Sequence, residues 1–158
     1  GGGPPAAAET PHGGVAHGAV ANGGVARKSA DATSYDLRYA RTRVQFGKPI
    51  GAFQAIQFKI ARMYADIATL TALLHEVIDG MQSGADLRKE IAAAKVLAGE
   101  AAVRGALEAI QVFGGYGYCE ESEVERALRD AKLLEIGAGT TEVQLLIIAM
   151  ALLGDVVA

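Results

Sequence analysis

Ile56-x-x-x-Ile60-x-x-Met63-x-x-x-Ile67-x-x-Leu70-x-x-x-Leu74-x-x-Val77-x-x-x-Met81 steps alternately by fours and threes, which lines its apolar side chains along one face of an α-helix. Lys59, Arg62, Asp66 and Glu76 fall off that line. Gly80, Ser83 and Gly84 supply the stop. A stripe this long is stable only when packed against other elements, so the segment predicts a long helix inside a helical protein.

The flanking sequence reads the same way. A second long helix is expected from about Asp86 to Val112, with Asp86 as N-cap and Arg88, Lys89 and Glu90 in its first turns. Its apolar content is mostly alanine, with Gly99 and Gly105 and larger residues only at Val96, Val103, Leu107 and Ile110. Small side chains let neighbouring helices approach closely, which places this helix at the centre. A weaker helix is expected over Asp31 to Gln45, and two shorter ones over Ser122 to Leu134 and Thr140 to Leu153. Period-two alternation is missing, so no strand is expected. The fold class is all-α: an antiparallel up-down bundle of four to five helices.

The opening differs. Residues 1–24 hold eight of the 20 glycines, three of the four prolines and one charged residue, Glu9. Such a segment buries too little apolar surface to offset its ordering entropy, so a disordered tail is expected there, with the bundle over 25–158. The start on Gly1 without a Met makes a fragment of a longer protein one expectation. His12 and His17 have no fixed geometry in this tail, and no metal site is expected.

Composition narrows the function classes. With 15 Lys+Arg against 18 Asp+Glu and a formal charge of −3, the chain has no basic excess for a phosphate backbone, and no nucleic-acid partner is expected. The single Cys119 cannot form an intrachain disulfide, fits a reducing compartment, and reads as a small buried or half-buried hydrophobe. The apolar run Leu145 to Gly154 is about half the ~18 residues of a membrane span, so no membrane partner is expected. A cytoplasmic location, or the mitochondrial matrix in a eukaryote, is the expectation.

Three glycine-containing breaks are where chemistry can sit. In Arg43-Val44-Gln45-Phe46-Gly47-Lys48-Pro49-Ile50, Pro49 ends a helix and Gly47 allows a turn. Arg43 is suited to a phosphate, or simply to the negative end of its helix. Gln111-Val112-Phe113-Gly114-Gly115-Tyr116-Gly117-Tyr118 has more glycine than a C-cap needs, and bare backbone admits close ligand approach. Gly137-Ala138-Gly139-Thr140-Thr141 opens the last helix, where free N–H groups and the dipole favour an anion, or where Thr140 is an ordinary N-cap. Tyr39, Tyr116 and Tyr118 are suited either to stacking on an adenine or to packing under a turn.

Together these blocks carry a family resemblance. Tyr39-Ala40-Arg41-x-Arg43-x-Gln45-Phe46-Gly47-Lys48-Pro49-Ile50 followed by Phe53-Gln54, then Gln111-x-Phe113-Gly114-Gly115-x-Gly117-Tyr118, then Leu128-Arg129-Asp130-Ala131-Lys132 through Glu135-Ile136-Gly137-Ala138-Gly139-Thr140-Thr141-Glu142-Val143, resemble the C-terminal helical domain of acyl-CoA dehydrogenases, in family order and over about Gly23 to Gly154. The pattern is most similar to the isovaleryl-CoA dehydrogenase branch. The resemblance implies an oligomer with FAD as cofactor. It implies that Arg43, Gln45 and Phe46 contact the FAD of the adjacent subunit, with Gln54 nearby and Gln111, Gly114 and Gly115 along the adenosine side. It further implies that Thr140 and Glu142 touch the flavin of their own subunit and that Ala138 and Gly139 lie beside the acyl-CoA thioester.

The implied reaction oxidises an acyl thioester to its 2,3-enoyl form, a carboxylate taking the α-proton while hydride goes to the flavin. Many members carry that glutamate at the position of Ala138. The isovaleryl branch takes it from the helix before Arg43, which by ungapped counting falls at His17. No catalytic residue is therefore expected, and acyl-CoA is expected as a substrate only in assembly with the family's other domains. Two readings remain at this level: the C-terminal domain or subunit of a flavin-dependent acyl-CoA dehydrogenase, inactive alone, or a helical assembly module without flavin chemistry.

Overall fold

The computed structural model describes residues 36–154, so the expected tail over 1–24, with His12 and His17, and the start of the helix expected from Asp31 lie outside the described residues. α1 covers residues 36–42. It leads into a hairpin of β1 (Val44–Gln45) and β2 (Lys48–Pro49), then a 3-10 turn, Ile50–Ala52. The remaining elements are α2 (Gln54–Gln82), α3 (Arg88–Phe113), α4 (Gly115–Tyr118), α5 (Glu123–Ile136) and α6 (Thr141–Leu153). The all-α class holds.

Helix α3 is the centre, as its alanines require. Ala92, Ala94, Ala98, Ala101, Ala102, Ala106 and Ala109 are all buried, and α2, α4, α5 and α6 each pack on α3. One core cluster joins Leu70 of α2 and Ala131 of α5 to Ala98, Ala101, Ala102 and Ala106. Gly99 brings α5 closer still, since a Cβ there would stand 3.2 Å from Glu135 Cγ. The α2 stripe behaves as its spacing predicts: Met63, Leu70 and Val77 are buried at seven-residue intervals, and Ile56, Ile60, Ile67 and Leu74 are half-buried beside them. Lys59 pairs with Glu108, and Arg104 Nη2 lies 3.0 Å from Asp66 Oδ2, which fixes α2 antiparallel to α3.

Three local expectations are corrected. The first helix does not run to Gln45. The Arg43 N–H donates to Tyr39 O at 2.8 Å, and then the Arg43 carbonyl accepts from Ile50 N–H at 2.8 Å, closing a hairpin where no strand was expected. Strands of two residues are too short to show alternation. Asp86 is not the N-cap of α3, a position taken by Leu87; the Asp86 carboxylate instead accepts from the Arg88 N–H at 3.3 Å and from its guanidinium. Cys119 is exposed, because it follows the short α4 on the rim of the bundle, and its thiol donates to Gly115 O at 3.3 Å.

Residues Glu123 to Leu153 are apolar enough for a membrane span by composition, but the link Gly137–Thr140 divides them into helices of 14 and 13 residues, each shorter than the ~20 a span needs. Leu145, Leu146, Met150, Leu152 and Leu153 of α6 stand exposed among the described residues.

Asp36 of α1 is fully buried, and neither carboxylate oxygen has a hydrogen-bond partner among the described residues. Burial pushes its pKa up to about 7. The folded state therefore holds a proton that the unfolded state releases near pH 4, and stability falls as pH rises from about 4 through 7. Asp36→Asn is expected to flatten this dependence and to raise the thermal midpoint above pH 7, recovering at most ~4 kcal/mol. Unfolding followed at pH 5 and pH 8 checks it; equal slopes for both proteins would refute the assignment.

Candidate functional site

The hairpin carries the first group. Its turn places Phe46 at φ 53° and Gly47 at φ 78°, the two successive positive values that a two-residue hairpin loop demands. Glycine accepts this freely, whereas a bulky ring in that region is strained. Phe46 is nonetheless 91% exposed, its ring edge-to-face with Phe53 at a centroid distance of 6.1 Å. Lys48 Nζ caps the Phe53 ring at 4.4 Å. Arg43 and Gln45 are exposed on the same hairpin, and Arg43 pairs with no carboxylate among the described residues. Gln54, exposed at the start of α2, follows directly.

The second group lies against the first. Tyr39 stacks on Phe113 at 4.2 Å, and Ala40, Ile50 and Val112 form a shared cluster. Tyr39 thus packs beneath the turn, while Tyr116 and Tyr118 stand exposed. Around this turn Gln111, Gly114 and Gly115 are exposed. Gly114, at φ 62°, ends α3, its N–H donating to Ile110 O, so its glycine is explained by capping. Gly117 is explained by packing, since a Cβ would lie 2.7 Å from Ile110 O and 2.9 Å from Ile110 Cα. A Cβ at Gly115 would meet nothing within 4 Å among the described residues, so the backbone there is open.

The third group is the link between α5 and α6. Ala138 has φ 54° and Gly139 φ 90°. Thr140 is an N-cap, its hydroxyl accepting from Val143 N–H at 3.4 Å. Glu142 in the first turn has its carboxyl held below the usual range by its own backbone N–H and by the Thr140 hydroxyl. The anion expected at this helix start is thus supplied by the chain itself, and a ligand here meets hydrogen-bond acceptors as well as N–H groups.

The structure joins the first two groups and separates the third. Gln111 sits near the end of α3, whereas Gly139 rests against Lys95, 16 positions earlier on that helix and so about 24 Å away at 1.5 Å per residue. Among the described non-glycine residues only Phe46 and Ala138 have positive φ, and each lies in one of the separated groups. Strained positions cluster at functional sites, which makes both candidates for a role there.

Two features escaped the sequence reading. Lys95 is buried at 9% exposure, and its Nζ donates to Gly139 O; the available signal was its place on the helical line Lys95, Gly99, Ala102, Ala106. An open groove of about 380 Å³ between α2 and α3, lined by Phe58, Lys59, Arg62 and Glu108 among others, shares no residue with the three groups.

The sequence profile described as "Acyl-CoA dehydrogenase, C-terminal domain" matches residues 3–153. The chain is 46% identical over 123 residues to an acyl-CoA dehydrogenase of Bacillus subtilis, covering 78% of this chain and 32% of that protein. It is 46% identical over 110 residues to the mitochondrial isovaleryl-CoA dehydrogenase of Oryza sativa subsp. japonica, covering 70% and 27%. Among solved structures, butyryl-CoA dehydrogenase from Megasphaera elsdenii superposes with a TM-score of 0.81 at 39% identity, covering 89% of this chain and 38% of that one. The complex of PigA with FAD and proline gives a TM-score of 0.85 at 31% identity, covering 88% and 36%. The chain spans about a third of the length of the relatives it matches.

The glycine assignments are separable by substitution. Gly117→Ala is expected to cost about 1–3 kcal/mol through backbone overlap, while Gly115→Ala, in open helical space, is expected to stay within about 1 kcal/mol of the native protein. Chemical denaturation of both variants checks this, and equal losses would refute the division between packing and open backbone.

Proposed function

The chain belongs to the acyl-CoA dehydrogenase family, through that family's C-terminal domain, and on this footing we propose that it is the helical part of an FAD-dependent acyl-CoA dehydrogenase. The observation that carries the reading is the strained, exposed Phe46 beside Arg43, which pairs with no carboxylate among the described residues, placed next to the open backbone at Gly115. A pure scaffold has no use for an aromatic ring held at unfavourable φ and left in solvent.

The residues present fit such a cofactor. Arg43 is suited to the pyrophosphate through its planar fork. Phe46 and Gln45 flank it, with Gln54 nearby and Gln111, Gly114 and Gly115 toward the adenosine side. Thr140 and Glu142 offer acceptors and backbone donors to a flavin, and Ala138 and Gly139 border the acyl-CoA thioester. When bound, FAD supplies a hydride acceptor for α,β-dehydrogenation. The chain's own contribution is to bind and orient, since Ala138 has no proton-accepting group and His17 lies outside the described residues.

The roughly 24 Å of α3 between Gln111 and Lys95 supports an oligomer in which the two groups serve different flavins. The exposed leucines of α6 support an interface there, covered by another copy or by the rest of a longer enzyme. That same apolar face, with the absence of a base at Ala138, favours the second reading, an assembly module without flavin chemistry.

Flavin fluorescence during titration of FAD into the purified chain distinguishes the two. Saturable binding is expected, weakened about 10- to 100-fold by Arg43→Ala, in line with loss of a charge-assisted phosphate contact. No oxidation of acyl-CoA is expected from the chain alone. Absence of binding at every accessible concentration would favour the assembly module, and turnover by the purified chain would refute the assignment of no catalytic base.

A further inference from the structure

We propose that Lys95 is a positioning residue that ties the α5–α6 link to the central helix and thereby sets the conformation of the ligand-facing bend at Ala138 and Gly139.

Lys95 lies on the buried line of α3, four positions before Gly99 and seven before Ala102. A methionine or leucine there would fill similar volume without taking a charge out of water, so a buried lysine is a poor choice for stability alone. Its ammonium donates to the Gly139 carbonyl, 44 residues ahead. That carbonyl belongs to the bend where two successive residues, Ala138 at φ 54° and Gly139 at φ 90°, are left-handed. Alanine disfavours this conformation, so the surroundings must impose it.

The other hydrogen bonds of the bend are local to α5 and α6. Gly137 N–H donates to Leu133 O at 2.7 Å, Gln144 N–H to Thr140 O at 3.0 Å, and the Thr141 hydroxyl to Glu135 O at 3.5 Å. They close each helix end, and none of them joins the bend itself to α3. Lys95 supplies the tie to α3. Glu135 on α5 and Glu142 on α6 face the ammonium and favour its charged form, against a dehydration that lowers its pKa. Lys95 touches no ligand on this account; it fixes where Ala138 and the N–H groups of the following turn stand. The consequence for ligand binding rests on the flavin reading above, whereas the tie itself does not.

Amide hydrogen exchange in the full chain tests the tie. Lys95→Met is expected to speed exchange at residues 138–144 by at least about tenfold while α2 keeps its protection, with a thermal midpoint equal to or above the native one because a dehydrated charge has been removed. Lys95→Arg, which keeps donor and charge, is expected to restore slow exchange in the link. A purely packing role would instead lower the midpoint and loosen α3 throughout, and that outcome, unchanged exchange at 138–144, or failure of Lys95→Arg to restore it would overturn the proposal. Should Lys95→Met not fold, NOEs from the Lys95 ammonium to residues 139–141 in the native chain decide the matter, their absence counting against it. With FAD as the probe, Lys95→Met is expected to weaken binding at least about fivefold. If the native chain binds no FAD, the flavin reading fails while exchange still decides the tie. If FAD binds equally to both proteins although the link has loosened, the ligand-positioning role is overturned.

Discussion

The distance at which α2, α5 and α6 can approach α3 governs the rest of the molecule. Alanines on the buried faces of α3 let its neighbours approach closely, and Gly99 allows a closer approach where α5 ends. Close packing of this kind leaves little volume for adjustment. A bend that is anchored to α3 therefore inherits the rigidity of the core, which is why a single ammonium from Lys95 is enough to register the α5–α6 link. The same economy of side chain explains why the aliphatic residues of α6 remain outside: once α3 is enclosed by small side chains, the larger ones have no interior left to enter.

Strain is handled differently at the two ends of α3. At Phe46 the hairpin is short and closed, with Val44 opposite Pro49 and Gln45 opposite Lys48, and the Arg43 carbonyl sealing its base. The backbone of Phe46 has nowhere else to go, so the ring is presented outward by covalent geometry. At Ala138 no hairpin enforces the conformation, and the link depends on helix capping by Thr140 and on the contact from α3. The first device works by local closure and the second by tertiary attachment.

The difference accounts for what was legible. Long helices declared themselves through apolar spacing, and the central place of α3 through its alanines, because both are consequences of side-chain volume and period. The hairpin at Val44–Pro49 was hidden, since strands of two residues carry no alternation and Arg43 to Gln45 have ordinary helix propensity. Asp86 was misplaced by one position because its carboxylate serves the Arg88 N–H and guanidinium together. Family likeness gave the positions of Phe46 and Ala138, but their shared left-handed backbone is a property of turns that no single residue type announces. Lys95 was missed for a related reason: a lysine within an alanine-rich helix reads as a solvated charge until its partner, 44 residues away, is known.

The separation of the two ligand-facing groups along α3 has a further physical consequence. An α-helix is stiff over four or five turns, so residues at Gln111 and at Lys95 keep a nearly fixed distance, and the link held by Lys95 cannot fold over toward the hairpin. Under the proposed FAD reading, the turn at Thr140 and Glu142 therefore keeps its distance from Arg43 of the same chain. Two copies related by a two-fold axis would then each offer a hairpin to the other's link, and the one operation would create two equivalent sites. Such an arrangement makes cofactor affinity and assembly mutually dependent, since each bound cofactor would bridge the pair and each pairing would complete two sites. The stiffness of α3, which begins as a matter of alanine packing, thus becomes the constraint that turns a binding question into an assembly question.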